Sequence, residues 1–157
     1  MSVNRGFTLI EILVVIVIIG ITFGFALLAF GDFGQERRIL FFSENMVNSI
    51  RLAQQQAILE TSTMGIRIDN KSYQILKYQN GWNSASNKGI FKTVFVPSNA
   101  VLNLKTNSHA KSGSPSIIIN ASGDMTPFTL NIGSLQNPSI TVLEGKQDGS
   151  LTFSKAK

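Results

Sequence analysis

One carboxylate, Glu11, stands inside the longest apolar run of the chain, and its cost there asks for a chemical use. From Phe7 to Phe30, 19 of 24 residues are apolar, the exceptions being Thr8, Glu11, Gly20, Thr22 and Gly24. An acidic side chain at the centre of a membrane-spanning helix costs about 2.5–3.5 kcal/mol on insertion scales, and less near an end. Other reactive groups are scarce. With no cysteine, disulfide frameworks, redox pairs, zinc ribbons and cysteine nucleophiles are excluded. The one histidine, His109, lies in the polar stretch Thr106–Gly113 and reads as solvated. There is no P-loop, HExxH or nucleophile elbow. These residues hold no catalytic constellation, so neither an enzyme, a metal nor a cofactor is expected.

The 157 residues fit one domain plus an anchor, and 43% hydrophobic with 15% charged residues argues against disorder. Residues 12 to 31 carry no charge, and the apolar run reaches the roughly 20 residues that cross a bilayer. A secretory signal has a shorter core of about 7–15 residues and a small-residue exit, neither of which is present. A plain membrane anchor would explain the length of the run but not Glu11. From Thr61 onward ten Lys/Arg stand against four Asp/Glu, within a formal net charge of +5 for the chain. That excess is short of a dedicated nucleic-acid binder.

Beyond the apolar run the spacing predicts that the helix continues over 31–60, weakened at Gly31, Asp32 and Gly34. Ile39, Phe42, Met46, Ile50, Ala53 and Ala57 recur every three or four residues, the mark of one buried stripe. Helix should end near Glu60, at Thr61-Ser62-Thr63. After Thr61 the pattern turns to period two. Strands are expected at 64–69, 73–78, 90–96, 100–105, 116–120, 127–132, 139–143 and 150–154, with polar mobile loops at 79–89 and 106–115. Trp82 is expected as a lid over the core. The fold class is α+β: a long N-terminal helix, its first half spanning a membrane, packed on about eight short antiparallel strands in two sheets.

The junction before the apolar run is the most specific feature. Met-Ser-Val-Asn-Arg5-Gly6 is a short polar leader, followed by Phe7-Thr8-Leu9-Ile10-Glu11 and a long Ile/Val run. This closely resembles the class III signal of type IV pilins and type II secretion pseudopilins. The resemblance implies a pilin-like fold and a cut by a prepilin peptidase between Gly6 and Phe7, with N-methylation of Phe7. It implies that Glu11 pairs with the amine of a neighbouring subunit and so sets register in a fibre, the attested use of such a buried charge. Four domains follow: the leader 1–6, the transmembrane and assembly helix 7–30, the amphipathic helix 31–60 and a periplasmic β domain 61–157. Gly20 and Gly24 form a GxxxG on the membrane helix, where small residues allow close helix packing. Arg5 and the pair Arg37/Arg38 flank the span on opposite sides, so charge alone does not orient it, and the leader does.

Arg51-Leu-Ala-Gln-Gln-Gln-Ala-Ile, Gly81-Trp82 and Gly123-Asp124-Met-Thr-Pro-Phe-Thr-Leu extend the resemblance, over nearly the whole chain, to the H-type minor pseudopilins of type II secretion. The same domain family includes FimT-like minor type IV pilins, some linked to DNA uptake, and the sequence resembles both branches. The major pseudopilin carries an acidic calcium loop. Here Glu144 and Asp148 are the only late carboxylates, too few for six to eight oxygen ligands. The function implied is a structural subunit of the inner membrane that enters a periplasmic pseudopilus moving folded exoproteins across the outer membrane. Its implied partners are the prepilin peptidase, other major and minor pseudopilins and the inner-membrane secretion platform, with no nucleic acid. The alternatives that remain are a minor pilin of pilus biogenesis or DNA uptake and a plain membrane-anchored binding domain.

Overall fold

The computed structural model describes residues 8–86, 89–107 and 113–156, with side chains at 27–33 left undescribed. Gly6, Phe7 and His109 therefore lie outside the described residues. One helix, α1, covers Leu9–Leu59 and continues through Gly31, Asp32 and Gly34. The chain divides into two compact units, Met1–Gln35 and Glu36–Lys157.

Within the second unit the period of 3.6 has its expected consequence. Ile39, Phe42, Met46, Ile50, Ala53 and Ala57 are all buried, and Val47 and the polar Ser43 join the same stripe. The helix ends as Thr61 turns into the left-handed region at φ 47°. Its amide bonds the Ile58 carbonyl at 3.3 Å, and the Ser62 amide bonds that of Ala57 at 3.0 Å, a Schellman arrangement with threonine where glycine is usual.

Nine strands follow among the described residues: β1 Met64–Ile68, β2 Ser72–Tyr78, β3 Trp82–Ser84, β4 Val94–Phe95, β5 Ala100–Thr106, β6 Ile117–Ile119, β7 Phe128–Ser134, β8 Thr141–Gly145 and β9 Leu151–Lys155. They form two antiparallel sheets, one in the order β3-β2-β1-β6 with β4 also on β2, the other β5-β7-β8-β9. The helix stripe and both inner sheet faces share one core, including Met64, Ile66, Tyr73, Ile75, Ile117, Ile119, Leu130, Ile132 and Leu143. Every second residue of β7 and β8 points into it, as half-buried antiparallel strands require.

Three sequence expectations need correction. Part of the expected loop 79–89 is strand β3, which pairs Trp82 with Tyr78 and Ser84 with Leu76. Its residues Trp-Asn-Ser show no apolar alternation, because Trp82 is only half-buried and Asn83 and Ser84 are exposed, so neither face carries a core stripe. The expected strand 90–96 is a 3-10 turn at Gly89–Phe91 followed by the two-residue β4. Gly89 at φ 71° bends the chain there, and Ile90 and Phe95 face outward. Nor does Trp82 cover the helix-side core. A Cβ on Gly65 would come within 2.8 Å of the Trp82 ring and 2.6 Å of Pro115, so tryptophan and proline cover Gly65 on the opposite sheet face. There Tyr78 meets Trp82 edge-on at 5.2 Å.

Candidate functional site

The site to be built is the first part of α1, where the sequence places Glu11. Thr8 precedes the helix, and its hydroxyl accepts the Glu11 amide at 3.4 Å. Its carbonyl accepts the amides of Glu11 at 3.1 Å and Ile12 at 3.3 Å. Thr8 is thus the N-cap and Glu11 occupies N3, the positions of Ser/Thr and Glu in a capping box. Sequence reasoning passed over Thr8, although Thr-Leu-Ile-Glu spells the signal. The cap starts the helix at a fixed residue, and the N-terminal helix dipole favours the Glu11 carboxylate.

Residues 8–25 are all exposed, including each large apolar side chain between Leu9 and Phe25. The stretch Leu9–Ala26 is long and apolar enough to cross a membrane. Thr22 needs no outside partner, since its hydroxyl bonds the carbonyls of Ile18 at 3.0 Å and Ile19 at 2.9 Å. Glu11 is different: among the described residues its carboxylate has no hydrogen bond and no ion pair. An added Cβ at Gly20 or Gly24 would meet nothing within 4 Å, so neither glycine serves packing inside the chain. Gly20 follows Glu11 by nine residues, about two and a half turns, so the glycines and the carboxylate occupy opposite helix faces. The structure does not bring these residues together.

In the second unit side-chain bonds tie α1 to the strands and turns of the β domain. Ser43 Oγ donates to the Ile39 carbonyl at 2.8 Å and shares a 2.8 Å hydrogen bond with Thr141 Oγ1, all of it buried. Gln54 Nε2 donates to the Gly123 carbonyl at 2.8 Å and the Gly149 carbonyl at 3.0 Å, joining two turns to the helix. At the helix end Lys77 pairs with Glu60 and holds its carboxyl below the usual carboxylate range. Tyr73 bonds Ser49 at 3.1 Å, and burial pushes its phenol up. None of these groups lines a reaction centre. No cluster of His, Cys, Asp and Glu suited to a metal occurs among the described residues.

Comparison with known proteins assigns this architecture. Residues 1–27 match the prokaryotic N-terminal methylation motif, and residues 43–149 match the family described as type II transport protein GspH. The type II secretion system protein H of Pseudomonas aeruginosa is 28% identical, with 95% of this chain and 94% of that protein covered. The fold is shared with the minor pseudopilin EpsH from the type 2 secretion system of Vibrio cholerae, at TM-score 0.65 and 20% identity, over 74% of this chain and 95% of that one. It is shared also with E. coli GspH, whose solution structure aligns at TM-score 0.65 and 17% identity, over 78% of this chain and 91% of that one. A methylation motif on a pseudopilin implies processing by a prepilin peptidase and assembly in type II secretion. The family match spans more than half the chain and agrees with the pilin-like layout: the chain belongs to the GspH family, the non-enzymatic minor pseudopilins of the type II secretion system.

Proposed function

We propose that this minor pseudopilin is cut between Gly6 and Phe7, methylated on Phe7, and held by residues 7–30 in the inner membrane. Its N-terminus faces the cytoplasm and its β domain the periplasm, until it enters the pseudopilus. The observation that carries this reading is an exposed apolar helix whose only charged residue between 9 and 26, Glu11, lacks a partner among the described residues. Within the described residues nothing neutralises that carboxylate, whereas a fibre would supply the neighbour's N-terminal amine. The Gly20–Gly24 face, opposite Glu11, would meet a second neighbour closely, since small residues let backbones approach. The partners are the prepilin peptidase, the other major and minor pseudopilins and the inner-membrane secretion platform.

Mass spectrometry tests the processing step. Protein from a host with prepilin peptidase should lack residues 1–6 and carry one added methyl on Phe7. Intact Met1 in that host, or a cut after residue 30, would overturn the assignment. Gly6→Ala should be cut more readily than Gly6→Leu, because a pocket that accepts glycine penalises volume first.

Nucleic acid is not among the partners. Of the β-domain cations, Arg67 faces Asp69 at 3.5 Å and Lys77 pairs with Glu60, so the basic excess is partly neutralised in place. Full-length protein in detergent should not shift DNA in a gel at physiological salt. Retention falling with log salt at a slope of about −0.9 per phosphate contact would favour the DNA-uptake branch instead.

A further inference from the structure

We propose that Asn80 deamidates spontaneously in the folded protein, the Gly81 backbone nitrogen displacing ammonia from its side-chain amide, and that the product loosens the turn that seats Trp82.

Two places in the sequence are open to this chemistry. An amide or carboxyl side chain cyclises when the next backbone nitrogen attacks it, and the approach is least hindered where the next residue has no Cβ. Asn80-Gly81 is the one Asn-Gly of the chain, and Asp148-Gly149 the one Asp-Gly. Both stand between paired antiparallel strands, yet the fold holds them differently. Asp148-Gly149 is locked. The Gly149 amide donates to the Lys146 carbonyl at 3.0 Å, which keeps its nitrogen from the side chain. Asp148 Oδ1 accepts the Ser150 hydroxyl at 2.6 Å and the Ser150 amide at 2.9 Å. Those bonds hold the carboxyl below its usual range, and an ionised carboxylate is a poor electrophile. Gln54 clamps the same turn through the Gly149 carbonyl at 3.0 Å.

Asn80-Gly81 has none of these restraints. It lies at the tip of the β2–β3 hairpin, in the short loop between the paired residues Tyr78 and Trp82. Asn80 is exposed at φ 54°, a left-handed conformation that asparagine tolerates, and Gly81 has φ 141°. Among the described residues neither the Asn80 side chain nor the Gly81 amide makes a hydrogen bond. A Cβ on Gly81 would meet nothing within 4 Å, so no packed neighbour blocks the cyclising atoms.

Attack by the deprotonated Gly81 nitrogen forms its bond to Asn80 Cγ as the Cγ–Nδ2 bond breaks, and ammonia leaves with a proton taken from solvent. Water then opens the succinimide. Opening at Cγ leaves an aspartate, and opening at the main-chain carbonyl leaves an isoaspartate whose backbone is longer by one methylene. The tip is braced at short range. The Gln79 amide donates to the Gly81 carbonyl at 2.9 Å, and Asn83 Nδ2 donates to the Gln79 carbonyl at 3.0 Å and the Gly81 carbonyl at 3.1 Å. An added methylene before Gly81 moves its carbonyl off both donors. Trp82 comes next in the chain, and it is the ring that covers Gly65 and meets Tyr78 edge-on at 5.2 Å.

Incubation of the full-length protein in detergent, in mildly alkaline buffer made with heavy-oxygen water, tests this by peptide mapping. The Asn80 peptide should lose ammonia and take up heavy oxygen with time. Isomerisation at Asp148 would take up the same label, and in the folded chain that peptide should stay unlabelled. In urea, which removes the lock on Gly149, it should label as well. Gly81→Ala should slow labelling at Asn80 about tenfold or more, since a Cβ beside the attacking nitrogen raises the barrier. Alanine is strained at φ 141°, so Asn83→Ala is the complementary variant: it frees the Gly81 carbonyl and should speed the labelling. Trp82, the single tryptophan, reports the turn. The deamidated fraction, separated by ion exchange on its added negative charge, should emit at longer wavelength than fresh protein. The site is overturned if Asn80 in the folded chain converts no faster than the other asparagines, or if Asp148 labels as fast as Asn80 does. A deamidated fraction whose Trp82 emission matches that of fresh protein overturns the loosening of the turn.

Discussion

Gly149→Ala is expected to lower the stability of the 36–157 unit by about 3 kcal/mol, through two costs that add at one atom. Gly149 holds φ 83°, which in the left-handed region costs an L-residue about 1–2 kcal/mol. Its new Cβ would also stand 2.4 Å from the Gly123 carbonyl oxygen and 2.4 Å from Gln54 Nε2. The first neighbour is backbone, and the second is the donor that joins both turns to α1. Overpacking of this kind adds about 1–3 kcal/mol. Gln54→Ala loses the same brace without the clash, two hydrogen bonds at about 1 kcal/mol each, so it should cost about 2 kcal/mol. Thermal melts of the detergent-solubilised chain, followed by circular dichroism, should show Tm falling by roughly 10 °C for Gly149→Ala and less for Gln54→Ala. Because both changes break one contact, the double variant should be less destabilised than the sum of the singles by about 1 kcal/mol. Strict additivity would show that the brace does not couple the two positions.

That brace marks where the sequence stops being legible. The helix stripe can be read because its signal is local: Ile39 to Ala57 repeat at the helical period, and each is buried. Strands β7 and β8 can be read for the same reason, through alternation. β3 cannot, because Trp82, Asn83 and Ser84 are held by the ladder to β2 rather than by an apolar face of their own. The run from Ile90 to Val96 misleads in the other direction. Its apolar count suits a strand, yet Ile90 and Phe95 are exposed, and only Val94 and Phe95 pair. Gln54 reads as one of three consecutive glutamines on a helix, and its acceptors lie 69 and 95 residues away. At the N-terminus the balance reverses. Gly6, Phe7 and Glu11 are written in a contiguous string, and Thr8 could have been added from its spacing to Glu11 alone. The assembly role proposed for Glu11 explains this: a helix that presents a residue to other subunits needs no tertiary contact to build the site.

Glu11→Gln is expected to leave the monomer intact and to abolish its entry into the fibre. The change preserves size and removes charge, so insertion into the membrane should be at least as good. The Thr8 cap bonds the backbone amide of residue 11 rather than its side chain, so the helix should still start at the same residue. Cleavage should persist, since the junction at Gly6 and Phe7 is unaltered. In the fibre the neighbour's amine would be buried without its counter-charge, and removing one partner of a buried pair costs about 3–5 kcal/mol. At 1.4 kcal/mol per decade that is a loss of roughly a hundredfold or more in incorporation. Crosslinking to other pseudopilins should therefore fall to background, and secretion with it, while mass spectrometry still finds the mature, methylated chain. Glu11→Asp keeps the charge but shortens the reach by one methylene, so it should rescue in part, which a purely steric role would not allow. Normal assembly and secretion by Glu11→Gln, in a strain that cannot secrete without this subunit, would remove the ion pair from the mechanism. The carboxylate would then be left with the helix dipole and the methylation step as its only uses.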